Sequence, residues 1–173
     1  MKALSFWKAV TMDTSDLLER VLELLRGRRI NFCVIGGQAV NAYVEPLVSL
    51  DLDLAVTVDQ IDQIRKVMEE NFVVEEFAHS LNVSSPGSNL RIRIQTDPRY
   101  SDFVKRAFVR EVLGVPLPVA TLDDVLQGKI WAASDPDRRS TKRRKDLLDI
   151  ARILEANPQL KSRVPDAILR EIA

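Results

Sequence analysis

Two short stretches constrain this chain most: Val34-Ile35-Gly36-Gly37 and Leu50-Asp51-Leu52-Asp53-Leu54. The first is an apolar run that stops at a double glycine. The second places two carboxylates at i and i+2 inside an apolar strand. Side chains alternate across a strand, so Asp51 and Asp53 share one face, while Leu50, Leu52 and Leu54 share the other. Two carboxylates held on one face repel each other and need a cation. Oxygen ligands suit Mg²⁺, which binds through one or two carboxylates together with substrate phosphates. A glycine pair after a strand lets backbone amides approach a phosphate closely. Taken singly, each piece has a plainer explanation: a double glycine is usually a turn, and an acidic strand face is usually a solvated edge. In this order and at this spacing they read as a nucleotide site.

The chain has 173 residues, the length of one domain with room for a small appendage, and 46% of them are hydrophobic. That is enough to bury a core without disulfides, and it argues against disorder. Twenty-five basic residues balance 25 acidic ones, so only local clusters can say anything about a polyanionic partner. The single cysteine, Cys33, excludes an internal disulfide and reads as a small core residue. Residues 1–12 carry Lys2 and Lys8 but no long apolar segment, so a signal peptide is not expected. No apolar run reaches membrane-spanning length. A cytoplasmic protein without membrane partners is the expectation.

Periodicity predicts an amphipathic helix over 15–26, capped by Ser15 or Asp16 and ended by Gly27. A buried strand follows over 30–35, a short helix over 37–44 and the carboxylate strand over 50–56. A second amphipathic helix is expected over 59–71. Residues 72–83 and 90–95 read as two strands joined by a turn-rich stretch. A helix is expected from Ser101 to Gly114. Pro116 and Pro118 suit an edge strand. Thr121 and Asp124 resemble a capping box, opening a helix to about Ala133. Further helices are expected from about Lys142 to Ala156 and from near Pro165. The expected class is α+β: a mixed sheet flanked by helices over 1–120, and a helical C-terminal subdomain over 121–173.

The pattern hydrophobic-Gly-Gly, a spacer, then Asp-hydrophobic-Asp-hydrophobic resembles the nucleotidyltransferase superfamily with the polymerase-beta-like palm. Val119 to Leu126, Lys129-Ile130-Trp131-Ala132-Ala133 and Arg144-Lys145-Asp146-Leu147-Leu148-Asp149-Ile150 resemble the second half of its toxin-type, AbiEii-like branch. The resemblance covers about residues 30–154. It implies transfer of a nucleoside monophosphate from a nucleoside triphosphate to an acceptor, with pyrophosphate leaving. It implies that Asp51 and Asp53 hold Mg²⁺, and that Gly36, Gly37 and Lys129 bind the nucleotide. Asp146 would orient Lys129 or the acceptor. It also implies an antitoxin partner.

One position departs from that pattern. The family supplies a third carboxylate from a neighbouring strand, which here reads Leu90-Arg91-Ile92-Arg93-Ile94-Gln95. Arg93 matches the missing acid. It is expected to face the same cleft, to ion-pair with Asp51 or Asp53 through bidentate contacts, and to compete with a metal. Asp97 is in phase as a replacement metal ligand but lies roughly 13 Å further along an ideal strand. A catalytically degenerate member acting as a binding or interaction module is therefore the alternative to an enzyme. Arg138 to Lys145 holds six basic residues in eight. Such a run is usually a solvated loop; its functional reading is contact with triphosphate or acceptor RNA. The chain lacks a P-loop, and its single histidine, His79, leaves no basis for a zinc site or a Ser-His-Asp triad.

Overall fold

The computed structural model describes residues 3–112 and 114–173. It opens with a helix not anticipated from the sequence, α1 (Ala3–Thr11). The amphipathic helix follows as α2 (Leu17–Gly27), burying Leu17, Leu18, Val21, Leu22 and Leu25. Those positions recur on one face of a 3.6-residue helix, and each buried side chain contributes roughly 1.5–3 kcal/mol over exposure. Asp16 holds the N-cap position, as one of the two expected residues, but its side chain makes no capping hydrogen bond. The Asp13 carboxylate accepts from the backbone N–H groups of Ser15 (3.1 Å) and Leu17 (3.4 Å), while Asp16 sits at φ 53.

Seven strands form one mixed sheet: β1 (Phe32–Ile35), β2 (Asp51–Val56), β3 (Val73–Phe77), β4 (Ser80–Ser84), β5 (Arg91–Gln95), β6 (Phe108–Val112) and β7 (Val115–Val119). Their order is β3-β4-β5-β2-β1-β7-β6. The pairs β2/β5 and β1/β7 are parallel and the others antiparallel. Between the strands run α3 (Gly36–Asn41), α4 (Ile61–Asn71) and α5 (Ser101–Arg106). After β7 come α6 (Leu122–Ser134), α7 (Ser140–Ala156) and α8 (Asp166–Ile172). Thr121 caps α6 as expected, its hydroxyl accepting from Asp124 N–H at 3.2 Å. The α+β class expected from the sequence is the one observed.

Three local expectations differ from the structure. Residues 72–83 are not one strand but the hairpin β3–β4, which turns at Ala78-His79. Most of the edge strand β3 is exposed, so no buried alternation marked the break. The helix from Ser101 ends at Arg106, and its expected second half is strand β6. Gly114 turns that strand into β7 at φ 80, a conformation glycine adopts freely. Strand β7 itself lies inside the sheet, with β6 at the edge. Pro116 and Pro118 are tolerated there because β7 registers with β1 through the Val34–Val119 pair only.

The core lies on the apolar face of β2 and β5, where Leu52, Leu54, Ile92 and Ile94 are fully buried. Val125, Leu126 and Ile130 of α6 and Ile150 and Ile153 of α7 belong to the same buried cluster. Cys33 is fully buried in β1, and burial pushes its thiol up to about 12, which makes it an inert core residue. Among the described residues, no helix is long and apolar enough to cross a membrane.

Candidate functional site

Antiparallel pairing of β1 with β2 sets Asp53 opposite Ile35, where the chain turns into α3. Gly36 makes that turn at φ 69, and a Cβ there would overlap Asp53 Oδ2. The glycine thus serves both the left-handed backbone and the close approach of the carboxylate. Asp53 Oδ1 is shielded from solvent and has no hydrogen-bond partner, although the side chain as a whole keeps 24% of its exposure. Burial pushes the Asp53 carboxyl up from its ordinary value; Arg93 and Lys129 oppose this and Asp51 adds to it.

Asp51 shares the face but not the environment. Arg91 Nε lies 2.8 Å from its Oδ1 and Lys142 Nζ 3.3 Å from its Oδ2. Burial opposes its charge, but Lys142 and Arg91 outweigh burial and hold the carboxyl below its ordinary value. Parallel pairing of β2 and β5 produces this contact, with Asp51 registered against Arg91 and Asp53 against Arg93. Arg93 faces the cleft and ion-pairs with Asp53 as expected, but loosely and without the bidentate hydrogen bonds. Its Nε is 4.0 Å from Asp53 Oδ1, beyond hydrogen-bond reach. The close arginine partner is Arg91, whose place on the same strand face was visible two residues from Arg93.

Lys129 is buried rather than solvated. Its Nζ lies 3.1 Å from Asp146 Oδ1 and 2.8 Å from Asp149 Oδ2. Burial works against its charge, but Asp149 and Asp146 prevail and raise its pKa. Each carboxylate has a second cation: Arg138 Nε is 2.8 Å from Asp146 Oδ2, and Arg152 Nη1 is 2.7 Å from Asp149 Oδ1. Asp149 was missed as a partner of Lys129. Its i+3 spacing from Asp146 on one helix puts both on the same face and was the available signal.

The basic run is only in part a solvated loop: Arg138 and Arg139 precede the helix, and Arg139, Arg144 and Lys145 are exposed. It enters α7 at Ser140, and Arg138, Lys142 and Lys145 line the cleft with the aspartates. Arg143 turns away to Glu171, at 2.6 Å, and to the carbonyl of Ala133. The cleft holds about 380 Å³. Seven cationic side chains and four carboxylates line it, in a chain whose total charge is zero. Gly37 lies on this cleft, and Gly36 lines an adjoining chamber of about 70 Å³ that shares Asp53, Arg93 and Lys129.

Asp97 does not join Asp51 and Asp53. It caps the turn Pro98–Tyr100, accepting from Arg99 N–H at 2.9 Å, and pairs with the Arg99 guanidinium at 2.9 Å. The strand ends at Gln95, so the chain leaves the sheet before Asp97 can reach the cleft. Among the described residues, no three acidic, histidine or cysteine side chains converge as a metal site. Two carboxylates still suit Mg²⁺ when substrate phosphates complete its shell. The buried oxygen of Asp53 that accepts no hydrogen bond is where such a cation would relieve an existing cost.

The mixed sheet, with its paired aspartates beside a glycine turn, is the palm-type fold of nucleotidyltransferases. The chain belongs to the family described as nucleotidyl transferase AbiEii toxin, type IV toxin–antitoxin system, which matches residues 24–173. No curated protein sequence matches it. Its fold is similar to that of the antibiotic-resistance factor ANT(2'')-Ia, at 14% identity and a TM-score of 0.52, over 90% of this chain and 94% of that one. It is also similar to the lincosamide antibiotic adenylyltransferase LnuA, solved with lincomycin bound. There the identity is 10% and the TM-score 0.54, over 82% of this chain and 98% of that one.

Proposed function

We propose that this chain is a Mg²⁺-dependent nucleotidyltransferase. It would move a nucleoside monophosphate from a nucleoside triphosphate to an RNA, protein or small-molecule acceptor, acting in the cytoplasm as the toxin of a toxin–antitoxin pair. The observation that carries this reading is the buried Asp53 oxygen that accepts no hydrogen bond, beside Asp51 in a cleft of net positive charge. Asp51 and Asp53 would hold the cation. When bound, Mg²⁺ would neutralise charge on the phosphates and orient them for in-line displacement. Gly36 and Gly37 let the backbone approach the phosphates, and Arg93 adds charge there. Lys129, fixed by Asp146 and Asp149, presents a positive charge that needs no reorganisation during reaction. In this scheme residues 1–120 supply the palm, and 121–173 supply Lys129, Asp146 and the basic run that would meet an RNA acceptor.

The test is calorimetric titration of ATP with and without Mg²⁺, followed by incubation with α-labelled triphosphates and total bacterial RNA or protein. Binding that needs Mg²⁺ and is weakened by Asp53→Asn, with label passing to an acceptor, is expected. No binding of any triphosphate would sink the proposal. A second reading, a binding module without transfer, is favoured by one observation: Arg93 stands in register with Asp53 where the family pattern has an acid, while Arg91 and Lys142 already neutralise Asp51. It predicts Mg²⁺-independent triphosphate binding and no labelled product.

A further inference from the structure

Four of the ten exposed large hydrophobic side chains among the described residues gather at this cleft: Leu47, Val48, Leu50 and Leu148. Val48 and Leu148 expose 69% and 51% of their surface, so the rim offers apolar area that none of the described residues covers. It adjoins the cationic lining. Lys145, Leu148 and Arg152 follow one another at i, i+3 and i+7 on α7, which places charge and apolar surface on one helix face. A ligand matching this surface is polyanionic at one end and flat and apolar at the other. Building on the nucleotide-binding reading above, we infer that the Leu47–Leu50 loop and Leu148 form a nucleobase subsite that accepts all four common bases with little discrimination.

The lack of discrimination follows from what the neighbouring polar side chains already do. Asn41 Nδ2 donates to the Leu47 carbonyl at 2.7 Å, and its Oδ1 accepts from Leu47 N–H at 3.0 Å and from Arg152 Nη2 at 3.0 Å. Ser49 Oγ accepts from Asp51 N–H at 3.2 Å. Asn41 and Ser49 hold the loop in shape, and their hydrogen bonds are spent on the loop backbone and on the Arg152 and Gln38 side chains. Strong base selection needs polar groups dedicated to a base edge, whereas apolar contact distinguishes poorly between bases of similar shape. The held loop also lowers the ordering cost of binding.

Titration of the full-length protein with ATP, GTP, CTP, UTP and inorganic tripolyphosphate, each with Mg²⁺, separates the possibilities. The four nucleotides should bind within about threefold of one another. Each should bind about tenfold tighter than tripolyphosphate, from the apolar area that the base covers. Leu148→Ser and Val48→Ser, both at exposed positions, should each weaken the nucleotides severalfold and leave tripolyphosphate unchanged. One base bound tenfold tighter than the rest would overturn the inference. So would nucleotides binding no tighter than tripolyphosphate, with the phosphate site left standing. If tripolyphosphate and the nucleotides all fail to bind, the nucleotide-binding reading falls together with the inference.

Discussion

Gly36 and Asp53 occupy space that only a glycine leaves free: a methyl group on Gly36 would overlap the Asp53 carboxylate, and the residue sits at φ 69. Gly36→Ala should therefore destabilise the protein by about 1–3 kcal/mol and displace Asp53. Gly37→Ala is the control, because the nearest atom to its added methyl is Asp149 Oδ2, at 3.9 Å. Denaturant unfolding of both variants, with Mg²⁺–ATP titration, checks the contrast. Equal effects of the two substitutions would count against the coupling of turn and carboxylate.

Asp51 and Asp53 should respond oppositely to neutralisation in the free protein. Asp53→Asn removes a poorly compensated buried charge and should stabilise by roughly 1 kcal/mol at neutral pH. Its folded pKa is raised, so this gain should shrink as pH falls through that value, where the wild-type carboxyl is protonated and equally neutral. Asp51→Asn leaves Arg91 and Lys142 without their partner and should cost roughly 0.5–1 kcal/mol, a small loss because Arg91 is largely exposed. The folded pKa of Asp51 is depressed, so its stabilising contribution is present above the unfolded value and lost as pH falls. Urea melts of the three proteins between pH 4 and 8 measure both trends.

Lys129→Met should destabilise by about 3 kcal/mol, since Asp146 and Asp149 stay buried without their shared cation. The loss should not be larger, because Arg138 and Arg152 still partly neutralise them. With a folded pKa raised above 10.5, Lys129 contributes stability that is complete below 10.5 and lost as pH rises through the folded value. Alkaline unfolding curves should therefore converge for wild type and variant at the highest pH. Parallel curves would contradict the ion-pair account.

Arg93→Asp should raise Mg²⁺ affinity by placing a third carboxylate in register with Asp53. Metal titration in the absence of nucleotide reads this directly. If the wild type transfers nucleotides and Arg93→Asp abolishes transfer, Arg93 is a phosphate-binding group.

Local pattern alone determined that Asp51 and Asp53 share a face, because strand side chains alternate with period two whatever the sheet around them. The Thr121 cap and the apolar stripe of α2 were legible for the same reason: neighbouring residues decide them. The hairpin at Ala78-His79 was not legible, since an exposed edge strand carries no buried alternation to break. Nor could pattern tell that Arg91 rather than Arg93 would hold a carboxylate closely. That choice rests on the parallel register of β2 with β5 and on α7 bringing Lys142 to Asp51 across 91 residues of chain. The burial of Lys129 between two aspartates likewise exists only once α6 meets α7. Side-chain direction is set within a few bonds of the backbone. Partnership between distant charges, and the pKa shifts that follow from it, depends on strand order and helix packing, which only the folded core decides.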